Sequence, residues 1–126
     1  MKKILLAGLT LLLIFGLCFY AAARVETICD SITEKLHMAE TQCHLGYYDH
    51  AINSVRDAQT LWTKHETFLG ISLRHTETDE IGIEFPVLVE TLMQKDSSAF
   101  IQENLTLIAT IDHLSRMEQP YLFNIL

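Results

Sequence analysis

Glycine and proline are scarce in this chain, which has five glycines and two prolines in 126 residues. No stretch shows the glycine-rich pattern of a phosphate-binding loop, and no Gly-x-Ser-x-Gly nucleophile elbow occurs. The three cysteines form no cysteine–histidine pairing of recognised spacing. We therefore expect that the protein is not an enzyme and holds no cofactor, and we assign no catalytic or metal-ligating residue.

Positive charge is also scarce, with nine Lys and Arg residues against sixteen Asp and Glu. Lys2 and Lys3 lie before the first apolar run, so residues 24–126 carry seven cationic and all sixteen anionic side chains, a formal charge of −9. A surface of this sign repels phosphate backbones. Nucleic acid is therefore excluded as an expected partner.

What the chain does have is one long apolar run, residues 4–23. As a helix it would be about 30 Å long, which matches the hydrocarbon core of a bilayer. The run predicts a transmembrane anchor over residues 1–23, in contact with lipid through residues 4–23. Lys2 and Lys3 before it favour a cytoplasmic N-terminus, which places residues 24–126 outside a bacterial plasma membrane as one single-pass domain.

A cleavable signal peptide has the same charged start and apolar middle, and Ala21, Ala22 and Ala23 would suit a signal peptidase. The run is longer than the usual apolar core of a signal peptide, which is about 7 to 15 residues. Phe19 and Tyr20 are typical of a membrane interface. These features favour an uncleaved signal-anchor, while cleavage after Ala23 stays an open alternative.

The anchor is expected to continue directly into the first helix of the outer domain. Between Gly16 and Gly46 there is no glycine or proline, so one helix is predicted over about residues 4–44, ending at Gly46. Cys29 and Cys43 would then lie roughly 21 Å apart on the same helix, too far for an internal disulfide. Its buried face is predicted to contain Val25, Ile28, Ile32, Leu36, Ala39 and Cys43.

Three more helices are predicted after Gly46. The second covers about residues 48–74, the third starts at a cap on Thr76 or Thr78, and the fourth follows the turn at residues 95–98 and stops before Pro120. The apolar stretch 121–126 is expected to pack back on the bundle. The predicted buried residues are Ile52, Val55, Ala58, Trp62, Leu69, Leu73, Ile81, Phe85, Leu88, Leu92, Met93, Phe100, Leu107, Ile111 and Leu114.

The predicted fold is therefore all-α: an N-terminal transmembrane helix that continues into an antiparallel up-and-down bundle of three to four helices. Within the third helix, Pro86 is expected to cause a kink or to delay the helix start. A short strand over residues 81–85 is a less favoured interpretation of the alternating pattern there.

Four polar residues form a weak candidate site. His75, Glu77 and Asp79 alternate in one turn, and His113 could join them at a zinc-like cation if the second and fourth helices adjoin. The simpler interpretation is helix capping, a buried polar tie or an interaction surface. Trp62 is interpreted as a core anchor. Glu103 and Asp112, on opposed sides of the fourth helix, are interpreted as a solvated face.

Several of these residues together resemble one known family. Trp62, the stretch 75–81, Asp96, His113 and the ending 124–126 look like the family called domain of unknown function 4363, and the resemblance covers essentially the whole chain. Family members are small proteins of Gram-positive, often spore-forming bacteria, and the resemblance implies one N-terminal membrane span and a helical remainder. It implies no activity.

This chain departs from the family pattern at two positions in the third helix. The family has an apolar residue where Thr78 stands, and it has no proline at the position of Pro86. Both departures concern the local geometry of that helix.

Two classes of function remain. The first is an accessory module that recognises another membrane or envelope protein through its acidic helical surface. The second is a helical sensor of a small ligand or cation that acts through a partner protein, since only about three residues precede the predicted span.

Overall fold

The computed structural model describes the backbone of residues 1–72 and 75–125 and the side chains of residues 1–70 and 78–116. Four α-helices follow one another along the chain: α1 (Lys2–His44), α2 (Tyr48–Ser72), α3 (His75–Met93) and α4 (Ser97–Ile125). The backbone of 81–85 lies within α3, and none of the described residues forms a strand. The prediction of an all-α fold is confirmed.

The helices pack as an up-and-down bundle. Short connections reverse the chain between successive helices, and the packed neighbours are α1 with α2, α2 with α3, α3 with α4, and α4 with α1. Each helix therefore has two helical neighbours, and the four apolar faces meet in one core. We call the end with the turns at residues 45–47 and 94–96 the outer end, and the opposite end the base.

The core follows the predicted helix faces closely. All the residues of α1 and α4 that were predicted to lie in the core are buried. Among the predicted core residues of α2 and α3 whose side chains are described, all but one are buried. Met93 is 60% exposed, so its assignment to the core is wrong. Leu92 occupies the core position, and the next residue on a helix is turned by about 100° away from it. Leu73 lies outside the described residues.

Helix α1 has two different halves. Except for the half-buried Phe15, the large apolar side chains between Ile4 and Tyr20 are exposed, and the buried part of the helix begins at Ala22. The first half is long and apolar enough to cross a membrane, and none of its most apolar window is buried inside the protein. The helix is unbroken through Arg24, which confirms the predicted continuity between the apolar half and the bundle.

Both turns at the outer end use the same helix-ending motif. After α1, Gly46 has a φ of +83°. The Gly46 N–H donates to the Cys43 carbonyl at 3.0 Å, and the Tyr47 N–H donates to the Gln42 carbonyl at 2.9 Å. This is the Schellman motif, in which glycine is the usual left-handed residue. After α3 the left-handed residue is Lys95, and Asp96 then caps α4 by accepting the Ala99 N–H at 3.2 Å. The predicted helix end and the predicted turn are confirmed.

Three local predictions about helix boundaries are corrected. Helix α3 begins at His75, so Thr76 and Thr78 lie inside its first turns and neither is the cap, and Thr78 is buried. Pro86 does not delay the start of α3, because it lies well inside the helix, where it is exposed. Helix α4 continues past Pro120 to Ile125. A proline removes one helix hydrogen bond, whereas extending an existing helix needs no new nucleus.

Candidate functional site

The structure describes the side chains of two of the four residues in the predicted polar site. Asp79 and His113 are exposed, on α3 and α4, and the side chains of His75 and Glu77 lie outside the described residues. Asp79 and His113 therefore lie on helices that pack against each other, since α4 packs on α1 and α3. Among the described side chains, no group of three or more His, Cys, Asp and Glu residues could hold a metal ion.

Trp62 lies in the core between α2 and α3 and is only 2% exposed. Its ring centroid is 6.3 Å from that of Phe85, with the two planes tilted by 42°. The indole Nε1 points toward Gly82, where an added Cβ would lie 3.5 Å away, and it has no hydrogen-bond partner among the described residues. The small residue at position 82 lets α3 approach the indole closely, so Trp62 joins the two helices.

A groove of about 370 Å³ runs between α3 and α4. Three carboxyl groups line it: those of Glu80 and Glu84, one turn apart on α3, and that of Glu103 on α4. Buried apolar side chains of Ile81 and Leu107 lie beneath them. The remaining lining residues are Ala99, Gln102, Thr106 and Thr110, all on α4.

Glu103 is the most constrained carboxyl group of this acidic groove. Its side chain is half-buried, and Oε2 is inaccessible to solvent and lacks a hydrogen-bond partner among the described residues. Within the same part of the chain, none of the three groove carboxylates forms an ion pair. An ionised carboxylate only accepts hydrogen bonds, so the acidic groove is suited to a cation that donates several of them.

The acidic groove was missed by sequence reasoning for a definite reason. Residues 99, 102, 106 and 110 recur at helical spacing, which is visible in the sequence, but nothing there shows that they face Glu80 and Glu84. The interpretation of Glu103 as part of a solvated face is wrong, because it lines the groove and is half-buried. Asp112 instead pairs with Arg116 at 3.3 Å on the surface.

Cys29 lies on the face of α1 that packs against α4. Burial raises the pKa of its thiol from 9.0 to about 12, with further contributions from the negative charges of Asp30 and Asp112, while a hydrogen bond with Ser115 opposes the rise. The thiolate is the reactive form of cysteine. Cys29 is therefore expected to be an unreactive residue of the core. Cys43 is likewise a buried, free cysteine.

We expect Cys29 to resist alkylation in the folded protein. At pH 8 a thiol with a pKa of about 12 has about a thousandfold less thiolate than one with a pKa of 9, and burial also hinders access. Iodoacetamide labelling followed by mass spectrometry should show Cys29 modified only after addition of denaturant. Because the folded pKa is raised, the stability linked to this thiol is complete below pH 9 and is lost as the pH rises toward 12. Rapid native labelling would contradict the burial of this residue.

Comparison with known proteins identifies a family for this chain. The family model described as Domain of unknown function (DUF4363) matches residues 19–125, which include the last residues of the apolar half of α1, the rest of α1 and all of α2, α3 and α4. No curated protein and no solved structure matches the chain.

Proposed function

The chain belongs to the DUF4363 family, and we propose that it is a membrane-anchored interaction module that docks on another membrane or envelope protein. The observation that carries the proposal is the division of α1 into an exposed apolar half and a half that forms the core of the bundle. The helix that would span the bilayer is thus the same helix on which the bundle is built. An anchor of this kind holds a binding surface at a constant distance from the membrane.

The proposed orientation places the N-terminus in the cytoplasm and the bundle outside a single-pass plasma membrane. Lys2 and Lys3 precede the apolar half of α1, and positive residues favour the cytoplasmic side of a span. In this orientation the acidic groove faces the extracytoplasmic space. We propose no catalytic role for the protein, since its sequence has none of the motifs of the common hydrolases and nucleotide-binding enzymes.

The proposed docking surface is the acidic groove. A basic segment of the partner would place Lys or Arg side chains beside Glu80, Glu84 and Glu103, and the aliphatic parts of those side chains would pack over Ile81 and Leu107. Interfacial charge pairs set specificity and association rate more than they set affinity. The partner is therefore expected to carry an exposed basic stretch and to bind less well at high salt.

Site-specific photocrosslinking in intact membranes tests this proposal. A benzophenone amino acid at Gln102, an exposed residue of the groove, should give one discrete crosslinked product, while the same probe at the exposed Thr60 on α2 should not. Neutralising the groove with Glu80→Gln, Glu84→Gln and Glu103→Gln should reduce the Gln102 product at least tenfold.

The matched control removes the same amount of charge elsewhere. Asp49→Asn, Asp57→Asn and Glu66→Gln change three exposed carboxylates of α2 and should leave the product unchanged. If both triple variants reduce the product equally, general acidity explains the binding and the groove does not. If no product forms from Gln102, the docking proposal is wrong.

A small organic cation is the second candidate occupant of the groove, since about 370 Å³ with three carboxylates is within the size range of small-molecule sites. A ligand that binds only the folded state raises the melting temperature. Thermal-shift measurements with spermidine would show a rise for the native protein and none for the groove triple variant if this candidate holds. A module that only docks on protein shows no shift.

A further inference from the structure

Two contacts set the relative height of α1 and α4. Near the middle of the bundle, the buried Asn104 donates from Nδ2 to the Leu36 carbonyl at 3.0 Å. Closer to the base, Ser115 lies near enough to Cys29 to oppose the rise in the pKa of its thiol. Because the helices are antiparallel, residue numbers decrease along α1 and increase along α4 toward the base. Both contacts therefore fix which residues lie at the same height.

Helix α4 continues well below these contacts. Its backbone is helical to Ile125, ten residues past Ser115, which corresponds to about 15 Å. Counting the same number of residues back along α1 from Cys29 leads to Phe19. The corresponding count from the contact between Asn104 and Leu36 leads to Phe15. Ile125, at the end of α4, is therefore level with residues 15–19 of α1, about 7 to 14 Å beyond Arg24.

Helix α2 does not descend so far. Ser54 donates from Oγ to Gln42 Oε1 at 2.7 Å, which places Ser72, the last residue of α2, at about the height of Arg24. Of the two helices beside α1, only α4 reaches the height of the exposed apolar half of α1. The difference is several residues, more than one helical turn.

The composition of α4 changes at the height where it passes Arg24. Arg116 and Glu118 are the last charged residues, and the stretch 121–126 reads Tyr, Leu, Phe, Asn, Ile, Leu. Its two aromatic residues stand at nearly the same height as Phe19 and Tyr20 on α1. Aromatic residues at this position are typical of the interface between a membrane and water.

We propose that residues 121–125 of α4 enter the outer interface of the lipid bilayer beside α1. The inference rests on the proposed anchoring of α1 and goes beyond it, because it assigns the bilayer a second contact on a different helix. An apolar segment that lies about 5 to 10 Å deep in the interface matches the overshoot of α4. The lipid surface accounts for the apolar composition of this stretch and for its height.

The second contact has a consequence for the acidic groove. A single span leaves the bundle free to rotate about the axis of α1, whereas two helices in the interface define which side of the bundle faces the membrane. The groove between α3 and α4 is then held in one orientation toward its partner. Interfacial anchors are known to set the tilt and rotation of spanning helices.

Depth measurements on the full chain test the proposal. The native Cys18, which the count from the Asn104 contact places at the height of Leu122, is the reference position. Cys29 and Cys43 stay in place because they are buried. An environment-sensitive NBD label is attached to the native chain at Cys18, or to the Cys18→Ala variant carrying Leu122→Cys or Gln94→Cys. Gln94 is exposed at the outer end of the bundle and serves as the aqueous control.

The labelled proteins are placed in vesicles of phosphatidylethanolamine and phosphatidylglycerol. Nitroxide groups on the lipid acyl chains should quench labels at 18 and 122 to within about twofold of each other, and iodide in the water should quench only the label at 94. Far-UV circular dichroism checks that each variant keeps its helix content.

Three results would overturn the inference. If lipid nitroxide quenches the label at 18 but iodide quenches the label at 122, the end of α4 lies in water and only the anchor is supported. If neither quencher reaches the label at 122, the segment packs on the bundle. If iodide quenches the label at 18 as well, the anchoring proposal itself fails.

Discussion

Replacing Trp62 by alanine is expected to lower the free energy of unfolding by about 3 to 5 kcal/mol, the usual cost of removing a large aromatic side chain from a core. Trp62 is 2% exposed, packs against Phe85 and lies against Gly82 of the neighbouring helix. Its loss would leave a cavity between α2 and α3 that their backbones cannot fill. For a domain of this size, each kcal/mol lowers the melting temperature by several degrees, so the variant should melt at least about 10 °C lower.

Two control variants separate packing from other effects. Trp62→Phe keeps an aromatic ring and loses an Nε1 that has no partner among the described residues, so it should cost clearly less than Trp62→Ala. Lys64→Ala changes an exposed residue of the same helix and should stay within about 0.5 kcal/mol. Denaturant unfolding followed by circular dichroism gives all three values. Equal stabilities for Trp62→Ala and Lys64→Ala would show that the indole is not part of the core.

The second large effect is expected from Thr27→Pro, which should destabilise the protein by about 3 kcal/mol and bend α1. Thr27 is exposed and lies just after the apolar half of α1, so the change affects the backbone and little else. A proline there removes the N–H that bonds to the Ala23 carbonyl, and its ring clashes with that carbonyl. The bundle and the apolar half would then no longer form one straight helix.

The geometric part of this prediction is measured by the distance between spin labels at Cys18 and at Gln94→Cys. In the native background the distance distribution should be narrow, and Thr27→Pro should shift and broaden it. Thr27→Ala is the control, because it removes only the side-chain bond from Oγ1 to the Ala23 carbonyl, 2.9 Å long, and keeps the helix intact. An equally broad distribution in native protein, Thr27→Ala and Thr27→Pro would mean that α1 is already flexible at this junction.

Most of the helical content was predictable because it depends on local signals. All the core residues that the apolar spacing predicted along α1 are buried. Gly46 marked the end of this helix through the left-handed conformation that glycine favours. The errors in the helix boundaries occurred where one local preference opposed helix propagation. Pro120 was expected to end α4, and Thr76 or Thr78 to cap α3, yet all three lie inside helices.

The candidate site was less predictable than the fold. Trp62 was identified from its spacing, whereas the polar group around His75 and His113 stays a prediction, because the side chains of His75 and Glu77 lie outside the described residues. The carboxylates of Glu84 and Glu103 are nineteen positions apart in the chain, and no periodic pattern links two different helices in that way. A groove between helices depends on which faces meet and at what height.

The sequence by itself determined the apolar run at residues 4–23, the helix faces and the acidic charge, because hydrophobic spacing and length are properties of a single segment. Only the tertiary structure decided that α4 packs between α1 and α3, and that Glu80, Glu84 and Glu103 line one groove. It also decided that α4 reaches the height of Phe19. Contacts such as Asn104 to Leu36 join residues far apart in the chain, and their register follows from the packing of whole helices.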